Sequence, residues 1–232
     1  GLAGLGFDYN FKIYWRNKGF RKVLSLLPAR SVDQGMDYVV SLVEVNLASR
    51  LADGTVRAYQ QALTLHMMPI NLIGVAISNA AFPQLTEHLG EGRNDLFQKD
   101  LRSLLRIIFW MALPVSVVIF FTRGYVVHFI RNGGNQLIAG ILGCLVVAIL
   151  FRTIYHMAAR AFYARQDTKT PLYISIFSIT LNIILAIVLS MVLKMGAYGL
   201  AWAQSTVAVL EVVVLLAVMN RQMPKLFDMT FV

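Results

Sequence analysis

The chain has 232 residues, 57% of them apolar and only 14% Asp, Glu, Lys or Arg, with a formal net charge of +9 and a mean hydropathy of +0.63. Soluble domains run to about 45–50% apolar and about 25% charged residues, so this composition argues against a soluble globular enzyme and excludes a disordered chain. Cys144 is alone, which excludes a disulfide scaffold.

A bilayer-spanning helix takes about 20 mostly apolar residues. Six such helices are predicted, at about 29–51, 57–83, 101–122, 134–164, 171–193 and 197–219, within one all-α, polytopic unit over 29–220. Residues 1–28 read as the end of a preceding helix, Gly1–Gly6, followed by a basic cytoplasmic loop, and 221–232 as a cytoplasmic tail or linker. The chain opens on Gly rather than Met, has no visible signal peptide, and is expected to be a fragment or half of a longer protein. The breaks are Ala52-Asp53-Gly54, Gly90–Asp95, Asn132–Asn135, Gln166–Pro171 and Lys194-Met195-Gly196. Pro69 and Pro114 fall inside helices, where each removes a backbone hydrogen bond and favours a kink. Apolar residues surround most of these helices, as a bundle in lipid requires, and no sustained alternation suggests a β-barrel.

The basic residues alternate by loop. Lys12, Arg16, Lys18, Arg21, Lys22 and Arg30 precede the first helix. Arg93, Lys99, Arg102 and Arg106 lie between the second and third, Arg160, Arg165 and Lys169 between the fourth and fifth, and Arg221 and Lys225 after the sixth. These fifteen face Arg50, Arg57, Arg123, Arg131 and Lys194 on the other side, with Arg152 left inside a helix. Cytoplasmic loops carry the excess of Lys and Arg, so both ends of the chain are expected in the cytoplasm. The positive charge therefore reads as topology, and nucleic acid is not the expected partner.

Ionisable residues inside spanning helices are candidates for function. Asp33, Asp37 and Glu44 are spaced by 4 and 7 residues; at about 100° per residue they fall within roughly 40° of one another. Gln34 and Ser41 lie beside that stripe. Asp33 reads best as a partner of Arg30, and the deeper Glu44 as a functional group. Arg152, His156 and Arg160 form a second stripe at spacings of 4, flanked by Tyr155 and Tyr163. It suits an anion, phosphate in particular, which Arg holds bidentately; pairing with the acidic helix is the alternative, and Arg160 reads as a cytoplasmic-end anchor. His66, Asn182, Gln204, Ser205, Thr206 and Glu211 are scattered polar groups in the other spans, of a kind that often hydrogen-bonds neighbouring helices. No nucleophile–base pair, metal cluster or phosphate-cradling glycine loop is present, so neither an enzyme nor a resident cofactor is expected. Cys144, near Gly140 and Gly143, reads as a packing residue, and the ten Met residues as filler.

Four collinear segments carry a resemblance: Leu42–Val56 (LVEVNLASRLADGTV), Met68–Leu85 (MPINLIGVAISNAAFPQL), Ala161–Pro171 (AFYARQDTKTP) and Gly196–Ser205 (GAYGLAWAQS). They resemble the MviN/MurJ lipid II flippase family, AFYARQDTKTP being the most specific. The resemblance implies a six-helix lobe of the MOP-exporter (MATE-like) fold, here the second of two lobes around a central cavity, with the covalent first lobe missing from the chain. It implies transport of the undecaprenyl-diphosphate-linked peptidoglycan precursor, lipid II, across the cytoplasmic (inner) membrane by alternating access, with the lipid-linked anionic glycan and membrane lipids as partners. Glu44 then falls where the family often has Asp, and Asn182 and Thr206, or Ser205, complete an ion-coupling site for Na+ or H+. Arg152, His156 and His66 become the substrate-binding candidates, and Pro69 and Gly74 the hinge of the second helix. Arg165, Asp167 and Lys169 match the signature loop and fix its geometry. The family's Asp-Arg pair before the proline is replaced by Leu63 and Thr64. That departure keeps open an exporter of another lipid-linked oligosaccharide or a drug, and a non-transporting membrane scaffold subunit.

Overall fold

The computed structural model describes residues 38–130 and 135–223. Among the described residues six helices follow one another: α1 (Tyr38–Ser49), α2 (Thr55–Gly90), α3 (Asn94–Ile130), α4 (Gln136–Ala164), α5 (Lys169–Val192) and α6 (Ala197–Gln222). Helices α2 to α6 are each long and apolar enough to cross a membrane. Asp33, Asp37 and Gln34 lie outside the described residues, as do residues 1–28 and the tail after Met223.

Several helices outrun their apolar segments. Helix α2 continues through Thr86-Glu87-His88-Leu89 to Gly90, and α3 begins at Asn94 where the apolar run begins near 107. The two polar extensions pair with each other. Gln84 Nε2 donates to Asp100 Oδ2 at 2.8 Å, and His88 Nε2 lies 2.9 Å from the same oxygen. Helix formation there rests on these polar contacts together with Phe97, Leu101 and Leu105, which α3 turns into the bundle at four-residue spacing.

Two helices carry π-helical turns, Ile70–Val75 in α2 and Val188–Val192 in α5. The first begins immediately after Pro69, whose ring cannot donate a backbone hydrogen bond, so the wider turn absorbs the break. At both turns a glycine permits close backbone contact. A Cβ on Gly74 would stand 3.0 Å from the Cα and carbonyl oxygen of Thr153 in α4, and one on Gly199 in α6 would stand 2.6 Å from the carbonyl carbon of Leu189 in α5.

Helix α4 is the centre of the bundle and packs against α2, α3, α5 and α6. Its buried positions extend along its whole length. The lipid-facing side is best seen on α3, where Trp110, Phe121, Tyr125 and Phe129 are exposed. Inside, the apolar contacts divide into two layers. One gathers Leu85, Phe97, Leu101, Met157, Phe162 and Leu215. The other gathers Leu47, Tyr59, Leu142, Leu145, Ala186 and Leu200. Apart from Thr55 and Ser190, the buried polar residues of α2, α4, α5 and α6 fall between the stretches that feed these two layers.

Candidate functional site

The polar layer has two parts. The first is a cavity of about 310 Å³. Helix α4 lines it with Arg152, His156 and Arg160, joined by Tyr155 and Tyr163. These are the five residues of the basic stripe, and 3.6-residue periodicity is what brings them to one face. Arg160 thus lines the cavity rather than serving only as an end anchor; its guanidinium also sits 5.7 Å from the centre of the Phe82 ring. Helix α5 contributes Ser175, Ser178 and Asn182 along its own face, and α6 contributes Glu211. Tyr155 Oη lies 3.2 Å from Ser175 Oγ. Asn182 is 2% exposed, and neither its Oδ1 nor its Nδ2 has a hydrogen-bond partner. A buried amide without partners is costly and uncommon in native proteins.

The second part is a buried carboxylate. Glu44 is 1% exposed and accepts three hydrogen bonds. Tyr59 Oη in α2 donates to Oε2 at 3.0 Å. Gln204 Nε2 in α6 donates to Oε1 at 3.0 Å and to Oε2 at 2.9 Å. The carboxylate therefore ties α1 to α2 and α6. Arg152 lines the cavity and not the carboxylate cluster.

The remaining candidates lie elsewhere. His66 is buried, with Nδ1 2.7 Å from the carbonyl oxygen of Leu63 and no partner at Nε2, and it is not part of the cavity lining. Thr206 is exposed, whereas Gln204 and Ser205 are buried. Two residues on a helix differ by about 200°, so Gln204 and Thr206 face opposite ways. Ser205 is also committed, donating to the Cys144 carbonyl at 2.6 Å. Glu44, Asn182 and Thr206 are consequently not gathered into one contact set; Asn182 belongs to the cavity and Glu44 to the Tyr59–Gln204 cluster. Gly74 is buried against α4, so it meets a packing demand at the position where a hinge was expected.

Sequence reasoning missed Tyr59 altogether, since a phenol on an apolar helix reads as core. It named Gln204 and Glu211 without giving them a place. Their only signal was polarity within an apolar span. In the signature loop, Asp167 accepts from the Thr170 backbone N–H at 3.1 Å and from its hydroxyl at 2.6 Å, and Arg165 Nη1 donates to Gln222 Oε1 at 2.6 Å. Those contacts join α4 to α5 and α6. Among the described residues no group of three or more His, Cys, Asp or Glu side chains is placed to hold a metal.

An all-α bundle of apolar helices with charged groups held between two apolar layers defines a lobe of a polytopic membrane transporter. Solved structures share the fold. One is a lipid II flippase MurJ in an inward closed conformation, with a TM-score of 0.75 and 24% identity over 92% of this chain and 45% of that one. Another is an outward-facing multidrug-resistance MATE transporter of the MOP superfamily, with a TM-score of 0.80 and 11% identity over 87% and 45%. The family model for the lipid II flippase MurJ matches residues 2–231, and the chain belongs to that family. A probable lipid II flippase MurJ of Borreliella burgdorferi is 26% identical over 207 residues, 87% of this chain and 40% of that protein. A lipid II flippase MurJ of Burkholderia cenocepacia is 26% identical over 167 residues, 69% and 32% of the respective lengths. The chain spans about two-fifths or less of the curated relatives it matches.

Proposed function

We propose that the chain is the second lobe of a flippase that moves the undecaprenyl-diphosphate-linked peptidoglycan precursor across the cytoplasmic membrane by alternating access. The observation that carries this reading is the cavity in which Arg152 and His156 of α4 face Asn182 and Glu211. Arginine holds phosphate oxygens bidentately, and within a bilayer its charge is strengthened by the low dielectric. Glu44, fixed between α1, α2 and α6, is the site of the coupling cation. No bond is made or broken in such a cycle; the work is done by differential affinity for two conformations. The loop charges support an orientation with both ends of the chain in the cytoplasm.

One observation favours a second reading, export of a different lipid-linked oligosaccharide or a drug. Leu63 and Thr64 stand where the family carries an acid–base pair, and Thr64 is exposed and bonded to the Gln60 carbonyl at 2.9 Å. A non-transporting scaffold subunit is disfavoured by the charge that faces the cavity.

The test is rescue of cells depleted of their own flippase by the full-length protein. Growth is expected with the unaltered protein and loss of growth with Arg152→Ala and Glu44→Ala. Full rescue by both variants would overturn the site assignment. Failure of the unaltered protein, with normal membrane levels, would favour the second reading.

A further inference from the structure

Among the described residues, the buried polar atoms without hydrogen-bond partners belong to His66, His88, Ser116 and Asn182, and of these only Asn182 lines the cavity. Its Oδ1 and Nδ2 are both unpaired, so the amide offers an acceptor and a donor side by side whichever way it is turned. That double need selects among ligands. A metal cation coordinates oxygen and leaves Nδ2 unanswered. An ionised phosphate accepts from Nδ2 and leaves Oδ1 unanswered. Two adjacent substituents of a sugar ring answer both, one donating to Oδ1 and the other accepting from Nδ2. We infer that Asn182 grips the edge of a sugar whose phosphate is held by Arg152 and His156, so that this residue reads the glycan.

This inference rests on the proposed function and names the part of the substrate that Asn182 recognises. The rest of the wall fits the same ligand. Ser175, Ser178 and Asn182 are spaced by 3 and 4 residues and share one neutral face of α5, whereas the positive charge comes from α4. Glu211 is an acceptor, ill suited to a phosphate and well suited to a hydroxyl donor. Ile179 and Val207 supply apolar surface for the C–H groups of a ring. At about 310 Å³ the cavity is at the small end of ligand pockets, which start near 300 Å³, with room for one sugar and its phosphate rather than a chain of sugars.

The experiment is calorimetric titration of the full-length protein in detergent with N-acetylglucosamine 1-phosphate and with cyclohexyl phosphate, a ring of like size without hydroxyl or amide groups. The readout is the ratio of the two affinities within each protein, so a loss of folded material or a general loss of phosphate affinity cancels, and a purely structural role leaves the ratio alone. The unaltered protein is expected to prefer the sugar phosphate by roughly ten-fold or more, the effect of two hydrogen bonds to an otherwise unpaired buried amide. In Asn182→Leu, and equally in Asn182→Ala, which removes the amide without filling its space, that ratio is expected to fall about ten-fold. A ratio near one in the unaltered protein overturns the inference while leaving the phosphate site standing. A preference that survives in both variants, or that falls only with the bulkier Leu, does the same. Absence of binding of either ester by the unaltered protein overturns the inference and the cavity assignment together.

Discussion

At the scale of single residues, Asp167 shows how the signature loop is held. Burial works against its ionisation, but hydrogen bonds from the Thr170 side chain and backbone, with further ones from Gln222 and the Lys169 backbone, outweigh it and keep the carboxyl below its ordinary value. The sign of the consequence follows by linkage. A carboxylate whose pKa is depressed in the folded state adds stability above its unfolded value and loses it as pH falls through the folded one. Unfolding temperature in detergent, followed from neutral pH down into the acid range, should therefore fall less steeply for Asp167→Asn than for the unaltered protein. The difference should be small because Asp167 is only part-buried and water screens it, and it should be absent near neutral pH once the constant offset of the substitution is subtracted. The carboxylate's partner three residues on was readable from Asp-Thr-Lys-Thr, since acidic side chains commonly cap the backbone N–H groups of a following turn. The role of Tyr59 was not, because its hydroxyl finds Glu44 only when α1 and α2 are folded against each other.

At the scale of elements, the helix cores were legible and their ends were not. Apolar runs disclose where lipid begins, but α3 extends back to Asn94 on a mixed segment, in which Phe97, Leu101 and Leu105 pack into the bundle and Asp100 bonds Gln84 and His88 of α2. The exposure of Thr206 was hidden for a related reason: composition says that α6 carries polar groups, and only the rotation of the helix says that Gln204 is the one turned toward Glu44. The π turns are a further feature that periodicity did not reveal, although Pro69 marked the first. Their glycines invite a direct test. Gly199→Ala and Gly74→Ala force a methyl group against neighbouring backbone, and overpacking of this kind costs about 1–3 kcal/mol. Gly90→Ala meets nothing within 4 Å. Thermal unfolding in detergent should fall clearly for Gly199→Ala and Gly74→Ala, Gly199→Ala most, and stay within about 0.5 kcal/mol for Gly90→Ala.

At the scale of the whole molecule, the order of the helices and the partition of basic residues give one another meaning. Short connections at 50–54, 91–93, 165–168 and 193–196 make successive helices run in opposite directions. Arg93, Arg165 and Lys169 thereby come to one end of the bundle, and Arg50 and Lys194 to the other. With Cys144 replaced by Ser, a single cysteine introduced at Gly92 should react with a membrane-impermeant maleimide only after cells are opened, and one at Met195 should react in intact spheroplasts. The reverse pattern would invert the orientation. The α4 stripe was fully legible as a stripe, since Arg152, His156 and Arg160, four residues apart, must share a helix face. The cluster around Glu44 was half legible, because the carboxylate stands out in an apolar span while its partners come from helices 15 and 160 residues away along the chain.

Asn182 carries one more consequence. Its amide is buried with both polar atoms unpaired, a condition that folding alone would not retain, since an apolar side chain of the same size would sit there at lower free energy. Replacing it should therefore harden the protein: Asn182→Leu is expected to raise the unfolding temperature in detergent, with the gain on the order of 1–3 kcal/mol, while growth rescue declines. A variant that is both sturdier and less able would identify that position as one where robustness has been given up for work.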